Sequence, residues 1–132
     1  MDRRIAKSML IWLSITPLAI LNGGLREYVL LPRLGAVAFP ISEFLLMLCI
    51  FIVSYIFIPR LGSADKSTYI KMGFLWVIAT VAFEFLFGAI ERLSLAEMLQ
   101  AYNILTGNLW LLIVIFMGFA PTIVARLKKI IK

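Results

Sequence analysis

The sequence predicts an all-α integral membrane protein, a compact bundle of four transmembrane helices with a short interfacial helix between the third and the fourth. Three observations point there. Of 132 residues, 63% are hydrophobic and only 15% charged. The mean hydropathy is +1.03. The apolar residues gather into four runs separated by short charged segments. An ordinary soluble domain is only about half apolar, and one this small could not bury so much apolar surface. Each bilayer crossing takes about 20 mainly apolar residues, so four spans fill most of the chain and leave a single domain, residues 1–132.

The first run covers residues 5–22, follows Arg3, Arg4 and Lys7, and contains Pro17. A basic start before an apolar stretch also describes a secretory signal peptide, but Asn22-Gly23-Gly24 lacks an Ala-x-Ala cleavage site, so a true span is expected. Pro17 is then a kink whose freed carbonyl neighbouring helices can satisfy. The second run, 38–59, opens with Pro40 in its first turn and closes at Pro59-Arg60, both places that tolerate proline. The third covers about 69–90 and the fourth 109–127. Gly62-Ser63-Ala64-Asp65 reads as a turn.

The connecting segments have their own patterns. In residues 23–37, Leu25, Tyr28 and Val29 share a face of a brief helix expected to stop before Pro32, because the residue before a proline avoids the α region. In the third connection Ser94-Leu95-Ala96-Glu97 fits a capping box, followed by Leu95, Met98, Leu99 and Tyr102 at helical spacing. An amphipathic helix over 94–105, lying in the outer interface and ending near Thr106-Gly107-Asn108, accounts for both signals. An extramembrane turn packed on the helix ends is the plainer alternative.

Lysine and arginine are distributed unevenly. The amino terminus, the segment from Arg60 to Lys71 and the tail together hold ten, whereas the first and third connections hold three, Arg26, Arg33 and Arg92. That bias puts both termini in the cytoplasm of a bacterial inner membrane. The formal charge of +6 does not imply nucleic acid, because the basic residues flank apolar runs and do not alternate with exposed aromatics. The bilayer itself is the expected partner.

Histidine is absent and Cys49 is the only cysteine. Disulfide exchange, Cys/His metal sites, histidine-ligated haem and histidine-based catalytic dyads are thereby excluded. No metal, no cofactor and no catalytic nucleophile is assigned. Any chemistry falls to carboxylates, arginines, amides and hydroxyls.

Two carboxylates lie within predicted spans, Glu43 near the start of the second and Glu84 near the end of the third. At 1.5 Å rise per residue both sit ~7 to 9 Å below the outer boundary. A charge at the bilayer centre costs about 2.5 to 3.5 kcal/mol, so each should face protein and have a partner. Arg26, Arg33 and Arg92 are the candidates, with Arg26 expected to pair first with Glu84. Gly73, Thr80, Glu84, Gly88 and Glu91 fall on one helical stripe, the mark of a packing surface or a polar cavity wall. Asn22, Glu27, Tyr102, Asn103 and Asn108 add polar groups at that level, and Trp110 is an interfacial aromatic. The candidate ligand-binding or structural cluster is therefore Glu84, Glu43, Arg26, Arg33, Glu27, Asn22, Glu91, Arg92 and Asn103. The cytoplasmic half of the spans offers only Ser8, Ser14, Ser54, Tyr55 and Thr122.

Asn22-Gly23-Gly24-Leu25-Arg26-Glu27, Pro32-Arg33-Leu34-Gly35, Phe83-Glu84 with Glu91-Arg92-Leu93, and Tyr102-Asn103-Ile104-Leu105 through Gly107 to Leu109-Trp110 resemble a group of small four-span bacterial membrane proteins of uncharacterised activity. The resemblance implies a four-span fold and no activity. Ala101 stands where such sequences carry an acidic residue. Small multidrug exporters place their essential carboxylate in the first helix, which has none here, and dual-topology fluoride channels would not show so lopsided a charge count.

Three functions compete. The leading expectation is a small-solute or ion transporter or channel working as a homo-oligomer, with Glu84 and Glu43 binding cation or proton. The second is a non-catalytic accessory protein whose outer-leaflet pocket receives a lipid, a small lipophilic molecule or a partner's helix. The third is a lipid-modifying enzyme using Glu84 as acid or base. Buried ion pairs also hold loops in register without any ligand.

Overall fold

The computed structural model describes residues 3–100 and 110–131. They form α1 (Arg3–Leu25), a π turn (Arg26–Leu30), α2 (Leu31–Leu34), a 3-10 turn (Gly35–Val37), α3 (Ala38–Phe57), a second 3-10 turn (Ile58–Leu61), α4 (Lys66–Ile90), α5 (Leu95–Gln100) and α6 (Trp110–Leu127). No strand occurs among them. A single parallel bridge joins Ala64 to Ile131. Three helical stretches are long and apolar enough to cross a membrane, Arg3–Leu61, Lys66–Ile90 and Trp110–Leu127. The first of these folds back on itself, because α1 packs along α3. Both α1 and α6 pack on α3 and on α4, which closes a ring in the order α1, α3, α6, α4.

The fold-back is not where proline predicts it. Helical hydrogen bonding runs through Pro32, which occupies the first turn of α2. Pro32 has no N–H and its ring crowds the preceding turn. The chain widens there into a π turn in which the Leu31 N–H donates to the Arg26 carbonyl. The stop comes at Gly35, whose φ of 65° and ψ of −143° suit a residue without a Cβ.

At the opposite end, Gly62 (φ 91°) turns the chain after α3. The Asp65 carboxylate then caps α4, accepting from the Thr68 N–H at 3.2 Å and the Thr68 hydroxyl at 2.6 Å. These bonds, the hydroxyl foremost, hold the Asp65 carboxyl below the usual range. The Tyr69 hydroxyl donates to the Gly62 carbonyl at 3.2 Å, and the Lys128 ammonium stands 4.0 Å over the Tyr55 ring. The basic segments counted in the sequence thus meet at one end of the bundle.

The core holds Trp76, Tyr69, Ile50, Ile113 and Val124, all without solvent exposure. Around it, Leu10 of α1, Phe44 of α3, Phe74 of α4 and Phe119 of α6 point outward, each more than half exposed. A soluble surface does not present apolar residues all round, and a bilayer requires it. Where α4 crosses α6, Gly73 meets Gly118 backbone to backbone, a small-residue contact of the kind that packs membrane helices.

α4 ends in a Schellman motif. The Leu93 N–H donates to the Gly88 carbonyl at 2.9 Å, and Arg92 takes φ 62°. The expected capping box follows: the Glu97 N–H donates to the Ser94 hydroxyl at 3.1 Å and the Ser94 N–H to Glu97 Oε1 at 3.2 Å. The helix it opens is α5. The remainder of the expected interfacial helix, residues 101–105, lies outside the described residues.

Candidate ligand site

The polar residues near the end of α1 and the start of α3 are positioned by a short register between those two helices. Asn22, near the end of α1, donates from Nδ2 to the Ser42 carbonyl at 3.1 Å and accepts the Ser42 hydroxyl at 2.5 Å. One turn beyond Asn22 comes Arg26, and next to Ser42 comes Glu43. The same register therefore brings the Arg26 guanidinium to Glu43, Nη1 to Oε1 at 3.8 Å. Arg26 Nε also lies 3.5 Å from Glu27 Oε1, and the guanidinium stands 5.5 Å over the Phe39 ring. Glu43 is only 3% exposed, and its Oε2 has no hydrogen-bond partner.

This corrects the expected pairing. Arg26 lies in ion-pair range of Glu27 and of Glu43, and not of Glu84, which the sequence ranked first. The π turn continues α1 along α3, so the arginine arrives beside the α3 carboxylate first. Arg33 and Arg92 are exposed. Asn103, Tyr102 and Asn108 lie outside the described residues.

Beside this cluster is a cavity of about 420 Å³ between α1 and α4, backed by Leu46 of α3 and Met117 of α6. Its apolar wall is formed by Trp12, Ile15, Ala19 and Ile20 from α1 and by Phe83 and Phe87 from α4. Arg26, Glu84, Glu91 and Glu97 supply its charged groups, and Met98 and Trp110 also reach it. Ile20, Phe83 and Phe87 are simultaneously cavity lining and exposed surface, at 56%, 37% and 48%. The cavity therefore borders the apolar exterior between α1 and α4.

Its deep end is shut. Trp12 Nε1 donates to the Thr80 hydroxyl at 2.9 Å, and the Trp12 and Phe83 rings meet edge to face at 6.4 Å. Its other end is roofed by α5, because Gly88 has no side chain: a Cβ there would stand 2.6 Å from Met98 Sδ. The stripe Gly73, Thr80, Glu84, Gly88, Glu91 thus divides its work. Gly73 packs helices, Thr80 fastens the floor, Gly88 seats α5, and Glu84 and Glu91 face the cavity.

Sequence reading missed Trp12 and the second role of Glu97. Trp12 did carry a signal, since an indole N–H within a span needs an acceptor, and Thr80 was the hydroxyl on the facing stripe. For Glu97 the capping box explained the residue locally, and nothing local shows that its exposed side also meets a cavity. No family model, no curated protein and no solved structure matches this chain.

Proposed function

We propose that this chain is a four-span protein of the bacterial inner membrane, with both termini cytoplasmic, that binds a lipophilic ligand in the outer half of its bundle. One observation carries the reading: a cavity with apolar depth and charged residues at its outer level, bordered by exposed apolar residues of α1 and α4. Such a volume lies within the roughly 300 to 1,000 Å³ of small-molecule pockets, and its open side would face acyl chains. The protein acts as a binding or accessory component, and this reading needs no homo-oligomer.

Transport through the bundle has less support. Near the Trp12–Thr80 bond and below it, two of the few hydroxyls are spent on their own helix, Ser14 on the Ile11 carbonyl and Ser8 on the Ile5 carbonyl, each at 2.6 Å. A path would need continuous polar groups, hydrophobic gating or a second copy. Lipid modification would need an activated nucleophile, and the charged groups at the cavity are one arginine and three carboxylates.

The test uses the purified protein in phosphatidylcholine nanodiscs, titrated with a doxyl-labelled stearic methyl ester. Trp12 and Trp110 line the cavity and report occupancy by quenching, and Trp76 is buried elsewhere. Saturable quenching that disappears when Ala19→Phe fills the cavity is expected. Unsaturable quenching, identical in the two proteins, would count against a pocket.

A further inference from the structure

We infer that the basic end of the bundle holds an anionic phospholipid, in exchange with the bilayer, against the outward face of α3, its headgroup phosphate between Lys128 and Arg60. This site lies at the opposite end from the cavity and does not depend on it. Two cations meet α3 at its last turn. The Lys128 ammonium stands 4.0 Å over the Tyr55 ring, and the Arg60 guanidinium 5.3 Å over the Phe57 ring. At 3.6 residues per turn, Ile56 falls between Tyr55 and Phe57, and Ile52 lies one turn further along the same face. Both isoleucines are exposed, at 44% and 47%. An apolar track is thus flanked at its end by one cation on each side. A phospholipid presents the complement, an acyl chain for the track and a phosphate for the cations.

The two cations are seated but not neutralised. Among the described residues no carboxylate is in ion-pair range of Lys128 or Arg60. The one described carboxylate at that end, Asp65, accepts twice from Thr68 in the cap of α4. The backbone fixes Lys128: its N–H donates to the Val124 carbonyl at 2.9 Å, and beyond it Ile131 bridges to Ala64. A ring face takes up one side of a cation and leaves its remaining N–H donors to an anion. Long basic side chains laid over apolar surface in this way reach lipid phosphates at the membrane boundary. A soluble polyanion such as a nucleic acid would bring nothing apolar to Ile52 and Ile56, so the track favours a lipid.

The test places a bimane label on the track, at Ile52→Cys in a Cys49→Ser background, with the protein in phosphatidylcholine nanodiscs. The quenchers are 5-doxyl phosphatidylglycerol and 5-doxyl phosphatidylcholine. Phosphatidylglycerol is expected to reach half-quenching at about a ten-fold lower mole fraction, from two exposed cations beside the track. Lys128→Gln with Arg60→Gln should bring the two lipids within about two-fold of each other. The phosphatidylcholine isotherm should not move, which reports an intact fold. Lys128→Arg with Arg60→Lys should keep the preference, because the charges stay. Lys66→Gln with Lys71→Gln removes the same charge from α4, across the ring from α3, and should leave the preference near its original value. Equal loss from either pair would mean a diffuse field and overturn the site, as would the absence of any phosphatidylglycerol preference. Erasure of the preference by millimolar inorganic phosphate would replace the lipid with a free anion as occupant and overturn the assignment.

Discussion

Gly73 of α4 and Gly118 of α6 lie so close that a Cβ on Gly73 would stand 1.8 Å from the Gly118 carbonyl oxygen and 2.8 Å from its carbonyl carbon. Backbone blocks that space, and backbone cannot rotate away as a side chain can. Gly73→Ala should therefore force α4 and α6 apart, lowering stability by about 3 kcal/mol, the upper end of ordinary overpacking. Gly118→Ala meets the Val77 Cγ2 methyl at 2.9 Å and should cost about 1 kcal/mol, since a side chain can give way. Thermal unfolding in mild detergent checks the order, and equal, small effects of the two substitutions would contradict the close contact.

Arg26 and Glu43 should behave as a coupled pair. Glu43 is almost wholly buried and Arg26 keeps a 26% exposed side chain. Removing one partner should then cost about 1 to 3 kcal/mol, less than the 3 to 5 of a fully buried pair because solvent screens the arginine. In a double-mutant cycle Glu43→Gln and Arg26→Met should together cost clearly less than their sum, whereas Glu84→Gln combined with Arg26→Met should be closer to additive. Additivity for Glu43 and coupling for Glu84 would restore the pairing read from sequence.

Arg92 occupies the left-handed position that a Schellman motif usually gives to glycine, with φ 62°. That conformation costs a side-chain-bearing residue about 1 to 2 kcal/mol. Glycine removes the cost but gives back about 0.5 to 1 kcal/mol in unfolded-state entropy. Arg92→Gly should thus raise stability by up to about 1 kcal/mol, seen as a small rise in Tm. Lys129, at φ 55° after α6, should respond the same way. A fall in Tm on Arg92→Gly would show that its guanidinium makes a contact worth more than the strain.

These cases show which features a sequence makes legible. Apolar helices are legible because long apolar runs leave a membrane chain few options, and α1, Arg3–Leu25, encloses the apolar run 5–22. The Ser94–Glu97 box was readable because both partners lie within one helical turn. The stop at Gly35 was misplaced to Pro32, because a π turn lets the helix absorb the missing N–H. Arg92 gave no sign of its conformation, since its residue type argues against it. The partner of Arg26 depends on the Asn22–Ser42 register between two helices, which helical spacing within α4 could not supply. The cavity is a gap left between α1 and α4, and no residue pattern encodes a gap directly.

The orientation rests on ten basic residues against three, and single-cysteine labelling in a Cys49→Ser background tests it. Ser63 is exposed in the turn after α3. A cysteine placed at Ser63 should resist a membrane-impermeant maleimide in intact cells and react after lysis. Reaction from outside intact cells would invert the topology and put the cavity in the cytoplasmic half.

The most direct measurement of the central claim is native mass spectrometry of the protein released from nanodiscs or mild detergent. The wild-type chain should carry one retained amphiphile, because its cavity borders the acyl layer through Ile20, Phe83 and Phe87. Ala19→Phe, which fills the cavity and leaves the outer surface of the bundle unchanged, should lose that adduct. An adduct retained equally by both proteins, or absent from the wild type under conditions that preserve its fold, would contradict a lipophilic ligand site between α1 and α4.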